Sequence, residues 1–220
     1  MLALELITDQ IVPLKISDSG ILGLSLMEEY KANHLPVVNS NWFFRLIIEN
    51  DIYSYNQFGE AVGAHPIHKS NISVRDDQHI YDVMTIMHEH DLSLLPVVDD
   101  RNHYVGSILA SDLSLRLAEI TGVTNPGGII VLEMNIHDYS LSEIAQIAET
   151  NNVRILNSFV NSFKESTRIE VTIKLNTVDI EPVLQTFMRY DYTIKASYTE
   201  ADLNDNLSDR YDSLMNYLNI

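Results

Sequence analysis

The chain has 220 residues, 31 acidic against 14 basic side chains and a net charge of −17, a balance that repels a phosphate backbone and excludes nucleic acid as a natural partner. Hydrophobic residues make up 45% and charged residues 20%, enough to build a buried core and too apolar for wholesale disorder. With no cysteine, disulfides, thiolate nucleophiles and thiolate metal sites are all excluded, as a reducing compartment permits. The cytoplasm is the expected location. Residues 1–9 carry Glu5 and Asp9 where a signal peptide would be basic, and no apolar run approaches the roughly 18 residues of a membrane span; no membrane association is expected.

In chain order, the first feature is a repeat. Leu35-Pro36-Val37-Val38 recurs as Leu95-Pro96-Val97-Val98, sixty positions on. The register extends upstream: Met27 matches Met87, Glu29 matches Glu89, and Val12, Leu14, Leu24 and Leu26 match Ile72, Val74, Met84 and Ile86. Each copy reads as helix, strand, turn, strand, helix. Residues 21–33 place Ile21, Leu24 and Met27 on one side at helical spacing, and Tyr81, Met84 and Met87 repeat that side. A β-rich Leu-Pro-Val-Val run follows, then a polar turn (39–41 or 99–102) and a second apolar run (43–48 or 104–109). Each second run leads to an aspartate, Asp51 or Asp112, positioned to cap a following helix. An edge-strand position is expected for Pro36 and Pro96.

The order strand-proline-valine, turn, glycine, two apolar residues, a hydroxyl position and aspartate resembles the CBS (cystathionine β-synthase) motif, and two in tandem resemble the pair that such proteins use as a folding unit. Copy two has Leu95-Pro96-Val97-Val98, Gly106, Ile108 and Asp112 in place; copy one keeps Leu35-Pro36-Val37-Val38 and Asp51 but has Arg45 at the glycine. The resemblance implies adenosine-type ligands, AMP, ADP, ATP or S-adenosylmethionine, in clefts between the motifs. Backbone near the strand-proline segments (Pro36, Val37, Pro96, Val97) would meet the base, and a hydroxyl three residues before the aspartate would hold the ribose together with that aspartate. Here the hydroxyl positions are Ile48 and Leu109. An aliphatic residue cannot hydrogen-bond a sugar, and one unpaired hydroxyl in a closed pocket costs about 1–3 kcal/mol. Ser111 or Ser107 could substitute from neighbouring positions. The copy-two site, with Asp112, Ser111 and Gly106, is the stronger candidate; the bland alternative for both aspartates is helix capping alone.

Residues 122–128, Gly-rich with Pro126, read as a linker or sharp turn; no Gly-Lys-Ser/Thr follows to make a phosphate loop. Beyond it the pattern is strand 129–136, helix 141–151, strands 154–163 and 169–175, helix 180–190 and strand 193–198, the βαββαβ order of a ferredoxin-like fold. Ile144, Ile147 and Ala148 share one helix face, as do Val183, Leu184, Phe187 and Met188. This order, its length and its place after a CBS pair resemble an ACT domain, as in acetoin-utilisation-related CBS proteins. ACT domains commonly bind amino acids at the turn after the first strand, here His137-Asp138-Tyr139-Ser140. Asp138 is a candidate cap, Ser140 stands where the family has glycine, and Asn151-Asn152 replaces a Gly-containing turn.

Residues 199–220 read as a helix with Leu203, Leu207, Tyr211, Leu214 and Leu218 in an apolar stripe, packing either on its own chain or in a dimer contact. Six of the eight histidines fall between His65 and His103, but His88 and His90 have the wrong spacing for a helical chelating pair, and His65, His68 and His103 converge only by folding; no metal site is expected. No catalytic constellation falls at motif spacing.

The expected architecture is therefore α+β: CBS motif one at 1–60, motif two at 61–121, linker 122–128, an ACT-like domain at 129–198 and a C-terminal amphipathic helix at 199–220. The expected activity is non-enzymatic ligand sensing by a homodimer formed through the CBS pair, with room for a protein partner. The alternative is an assembly scaffold with degenerate nucleotide sites.

Overall fold

A computed structural model describes residues 1–55, 58–64 and 71–199, and the chain divides into two compact units, Met1–Leu117 and Ala118–Ile220. The expected helix 199–220, His65 and His68 lie outside the described residues.

In the first unit the repeat is structural. Copy one runs β1 (Leu14–Lys15), α1 (Gly20–Tyr30), β2 (His34–Asn39), β3 (Trp42–Ile48), α2 (Glu49–Tyr55); copy two runs β4 (Val74–Arg75), α3 (Ile80–His90), β5 (Leu94–Val98), β6 (Tyr104–Leu109), α4 (Ala110–Ile120). Each copy has a three-stranded sheet in which a two-residue parallel strand and a longer antiparallel strand flank the Leu-Pro-Val-Val strand. Both α1 and α3 end on a left-handed residue, Lys31 (φ 54°) and Asp91 (φ 50°), at matching places. The Leu-Pro-Val-Val runs are wholly buried, so each β-rich tetrapeptide is the centre of the core and not a half-exposed strand.

Three expectations need correction. Pro36 and Pro96 lie in the middle strand of each sheet, not on an edge. They are tolerated because the parallel neighbour pairs only from Val37 and Val97 onward (Leu14 with Val37, Val74 with Val97), leaving that side of the strand unpaired at the proline, where no N–H is required. The buried helix faces are Gly20, Gly23 and Met27 in α1 and Ile80, Val83 and Met87 in α3; of the expected faces only Met27 and Met87 are buried, while Ile21 and Tyr81 are 60% and 71% exposed. Asp51 and Asp112 are not caps: each is the third residue of its helix, because α2 and α4 start directly off β3 and β6 with no connecting loop.

The copies join through their hairpins. The Phe43 N–H donates to the Asn102 carbonyl (3.0 Å), and the Tyr104 N–H donates to the Asn41 carbonyl (2.8 Å), while Trp42 stands edge-on to His103 at 4.8 Å. The N-terminal residues cross to copy two: the Ala3 and Leu4 N–H groups donate to the Gln78 and Asp76 carbonyls, and Ala3 and Leu6 are buried there in one shared core. The segment between the copies does the same for copy one, with Val62 and Gly63 N–H groups on the Asp18 and Ile16 carbonyls.

The second unit is β7 (Ile129–Asn135), α5 (Leu141–Thr150), β8 (Ile155–Ser162), β9 (Arg168–Leu175), α6 (Glu181–Arg189) and β10 (Thr193–Tyr198), in sheet order β10-β7-β9-β8 with every pair antiparallel. This is the ferredoxin-like arrangement. Alternation along β9 buries Ile169, Val171, Ile173 and Leu175 against Ile144, Ile147, Val183 and Phe187 of the helices. Ser140 caps α5, accepting the Glu143 N–H at 3.3 Å; Asp138, expected in that role, lies in the preceding 3-10 turn Ile136–Asp138. Asn152 (φ 57°) is the left-handed residue of the turn between α5 and β8, a conformation open to asparagine.

Candidate functional site in copy two

The copy-two candidates converge where β6 runs into α4. Gly106 and Ser107 are buried at the centre of β6, paired with Val97 and Pro96 of β5. Three residues past the strand, Asp112 sits in the first turn of α4, where the helix N-terminus favours a carboxylate. Its Oδ2 accepts a hydrogen bond from the Thr8 hydroxyl at 2.7 Å, and its Oδ1 accepts from the Ser111 hydroxyl at 3.4 Å.

Thr8 is fixed in this place by three bonds. Its backbone N–H donates to the Ser107 carbonyl at 2.8 Å, its Oγ1 accepts the Leu109 N–H at 3.3 Å, and the same hydroxyl donates to Asp112. Its neighbour Ile7 lies across Gly106 so closely that a Cβ on the glycine would stand 2.5 Å from Ile7 Cγ2. Gly106 therefore admits the chain's own N-terminal segment, where the resemblance had implied approach to a ligand.

Thr8 was not identified from the sequence. It lies upstream of the matched register, and its counterpart sixty residues on is His68, which shares none of its chemistry. The one available signal was the apolar Leu109, which left a hydroxyl to be supplied from elsewhere. Ser107, weighed as a substitute, is fully buried, and its hydroxyl is shared with the Tyr104 phenol at 2.9 Å. Burial pushes that phenol up to about 12, with the Ser107 hydrogen bond opposing, so it stays protonated at any physiological pH.

Pro36, Val37, Pro96 and Val97 are all buried, Val37 and Val97 completely, so neither side chain nor backbone of the two valines is exposed to a ligand, contrary to the expectation from the sequence. In copy one, Asp51 occupies the matching third position of α2, but Arg45 fills the glycine position and its guanidinium donates to the Val62 carbonyl. The two copies are thus chemically unequal.

In the second unit an open cavity of about 550 Å³ lies beside the turn that follows β7. Asp138, Glu143 and Asp191 line it together with Arg168, which is paired with Glu133 at 2.8 Å, and with Tyr192. Burial first, and then Glu143, push the Tyr192 phenol up to about 12. Among the described residues, no group of three or more His, Asp or Glu is arranged to hold a metal ion, and no helix is long and apolar enough to cross a membrane.

Comparison with known proteins bears on the second copy of the repeat. Residues 64–119 match the CBS domain family model, and copy one has the same elements in the same order and pairing. A homoserine O-acetyltransferase of Methanocorpusculum labreanum is 32% identical over 91 residues, 41% of this chain; the match spans only 19% of that protein's length. Similar solved structures include a CBS domain pair/ACT domain protein from Thermotoga maritima (20% identity, TM-score 0.49, 54% of this chain and 98% of that one). The CBS-pair protein CBSX2 from Arabidopsis thaliana gives 23% identity and TM-score 0.46 over 54% of this chain and 95% of its own. CBSX2 in complex with AMP gives 23% and 0.47 over 54% and 97%.

Proposed function

From a chain that carries a tandem pair of CBS units followed by a ferredoxin-like, ACT-like unit, we propose a regulatory sensor that acts by binding and not by catalysis. It takes an adenosine-type ligand, AMP, ADP, ATP or S-adenosylmethionine, at one cleft per chain, the one built around Asp112. The observation that carries this reading is the Asp112 carboxylate, held at a helix N-terminus with hydroxyls on both oxygens. That geometry suits a group whose task is to accept hydroxyl protons. Copy one is left out of this reading because it differs chemically, with Arg45 where copy two has Gly106 and its guanidinium donating to the Val62 carbonyl.

The sensor works as a homodimer. Ile21 and Leu22 on α1, Tyr81 on α3 and Leu115 on α4 are each at least 43% exposed, and they supply an apolar helix face for a second copy. The cavity beside the β7–α5 turn takes a second small polar ligand. Occupancy then biases the dimer between arrangements through differential affinity for them.

The test is a thermal-shift titration with AMP, ADP, ATP and S-adenosylmethionine to millimolar concentration. A ligand that binds only the folded chain raises the melting temperature progressively; no shift with any of the four overturns the sensor. The second reading, an assembly scaffold with degenerate sites, is favoured by Arg45 and by the apolar Ile48 and Leu109. It predicts a dimer with no shift.

A further inference from the structure

We propose that residues 200–220 of this chain, which lie outside the described residues, cover the open face of the second unit's sheet, with Leu203, Leu207, Tyr211, Leu214 and Leu218 seated on it. That face is an intramolecular docking surface, and its occupant is a segment of the same unit.

The helices α5 and α6 cover one side of the sheet, where Ile130 and Leu132 of β7 are fully buried. Yet β7 begins Ile129-Ile130-Val131-Leu132, apolar without alternation, the pattern of a strand covered on both sides. Ile129 and Val131 point to the other side, and strand pairing extends them into two rows. Tyr198, Ile129, Lys174 and Asn157 form one, and Ala196, Val131, Thr172 and Phe159 form the next. Phe159 and Tyr198 are each 57% exposed, and a cavity of about 230 Å³ opens between Ile129, Phe159, Thr172 and Lys174. The solvated face of an antiparallel sheet is ordinarily polar, so an apolar patch of this kind marks a surface that meets something.

Lys174 adds a charge to that requirement. Further along the same face the cations are matched, Arg168 by Glu133 and Lys195 by Glu170. The Lys174 ammonium donates to the Gly127 carbonyl at 2.6 Å, and among the described residues no carboxylate pairs with it.

The sequence of residues 200–220 answers both needs. Its five apolar residues recur at spacings of 4, 4, 3 and 4, and Glu200, Asp202, Asp205, Asp209 and Asp212 outweigh Arg210. The last strand ends at Tyr198, in the row that holds Lys174, so the segment starts at the edge of the face it covers. Four strands span roughly 14 Å, and even a fully helical segment of this length reaches about 30 Å. So short a tether gives the segment an effective concentration on the order of millimolar, which favours it over a second copy.

The experiment is photo-cross-linking of the full chain carrying Phe159→p-benzoylphenylalanine, with an unchanged melting temperature as the folding control. Unlabelled and heavy-nitrogen-labelled chains are mixed before irradiation, and mass spectrometry of the peptides separates adducts within one chain from adducts between two. Adducts within one chain to residues 203–218 are expected, and Leu207→Asp with Leu214→Asp should lower their yield at least about tenfold. Adducts between chains overturn the proposal, because a second copy then covers the face. Adducts confined to residues 1–199 of the same chain, or none, overturn it as well. Adducts to 203–218 that persist undiminished in the double variant also overturn it, since the apolar residues then make no contact.

Discussion

His34 and Ser93 meet where the two copies face each other: the Ser93 N–H and hydroxyl lie 3.3 Å and 3.0 Å from His34 Nδ1, and the Asn33 N–H donates to the Ser93 hydroxyl at 3.0 Å. Burial lowers the His34 pKa below its usual 6.5, while Asp91 and Asp51 act in the opposite direction. A base whose folded pKa is depressed contributes stability that is complete above the unfolded value and is lost as pH falls from there toward the folded value. Wild type should accordingly lose stability as pH drops below about 6.5, and His34→Gln should flatten that loss. Urea denaturation at pH 7.5, 6.5 and 5.5 measures the difference; parallel curves for the two proteins would rule out His34 as the titrating group.

The contact between Ile7 and Gly106 makes a second prediction. Gly106→Ala places a methyl group 2.5 Å from Ile7 Cγ2, and such overpacking costs about 1–3 kcal/mol. Shortening Ile7 to alanine in the same chain should recover part of the loss. Additive effects in denaturant melts of the two single variants and the double variant would show that the residues do not press on each other.

Gly127 carries the strongest backbone requirement in the second unit. At φ 151° it lies so close to β9 that a Cβ would stand 1.9 Å from the Leu175 carbonyl oxygen, which is held in the sheet by the rest of β9. Gly127→Ala should destabilise this unit by more than about 2 kcal/mol, read as loss of amide protection in 129–198 by hydrogen exchange. Retained protection would place the strain elsewhere.

Packing of the second unit turns on Phe187, fully buried between the helices and the sheet and edge-on to Tyr192 at 5.4 Å. Phe187→Ala should cost about 3–5 kcal/mol. A fall of less than about 1 kcal/mol in chemical denaturation would mean that neighbouring side chains collapse into the space.

The proposed dimer gives the last prediction. Tyr81→Glu puts a charge at a 71% exposed position of the α3 face, where the folded chain tolerates it and an apolar interface does not. The variant should dissociate at least tenfold more readily than wild type in sedimentation equilibrium, with an unchanged circular dichroism spectrum. Equal dissociation constants would move the interface off this face.

Much of the fold was legible in the sequence because burial repeats with the chain. Matched apolar positions sixty residues apart face matched cores, and the βαββαβ order emerges from two alternating periods. The helix faces were misread for a specific reason: α1 buries Gly20 and Gly23, where a Cβ would stand 2.9 Å and 3.1 Å from Ile52. A glycine used for close helix packing leaves no mark in a hydrophobic pattern, whereas the apolar Ile21 beside it does although it is exposed. The aspartates were misplaced because a strand that enters a helix without a loop leaves no boundary residue to read.

The twofold repeat, the asymmetry of Gly106 against Arg45 and the missing hydroxyl at Leu109 can be read from the residues alone, since each is a matter of residue identity at a counted position. What stands in the gap is set by folding. Thr8 reaches Asp112 across 104 residues of chain because the N-terminal segment is buried against copy two and not against the motif that follows it, and a contact made by such a crossing has no period or spacing through which a sequence can announce it.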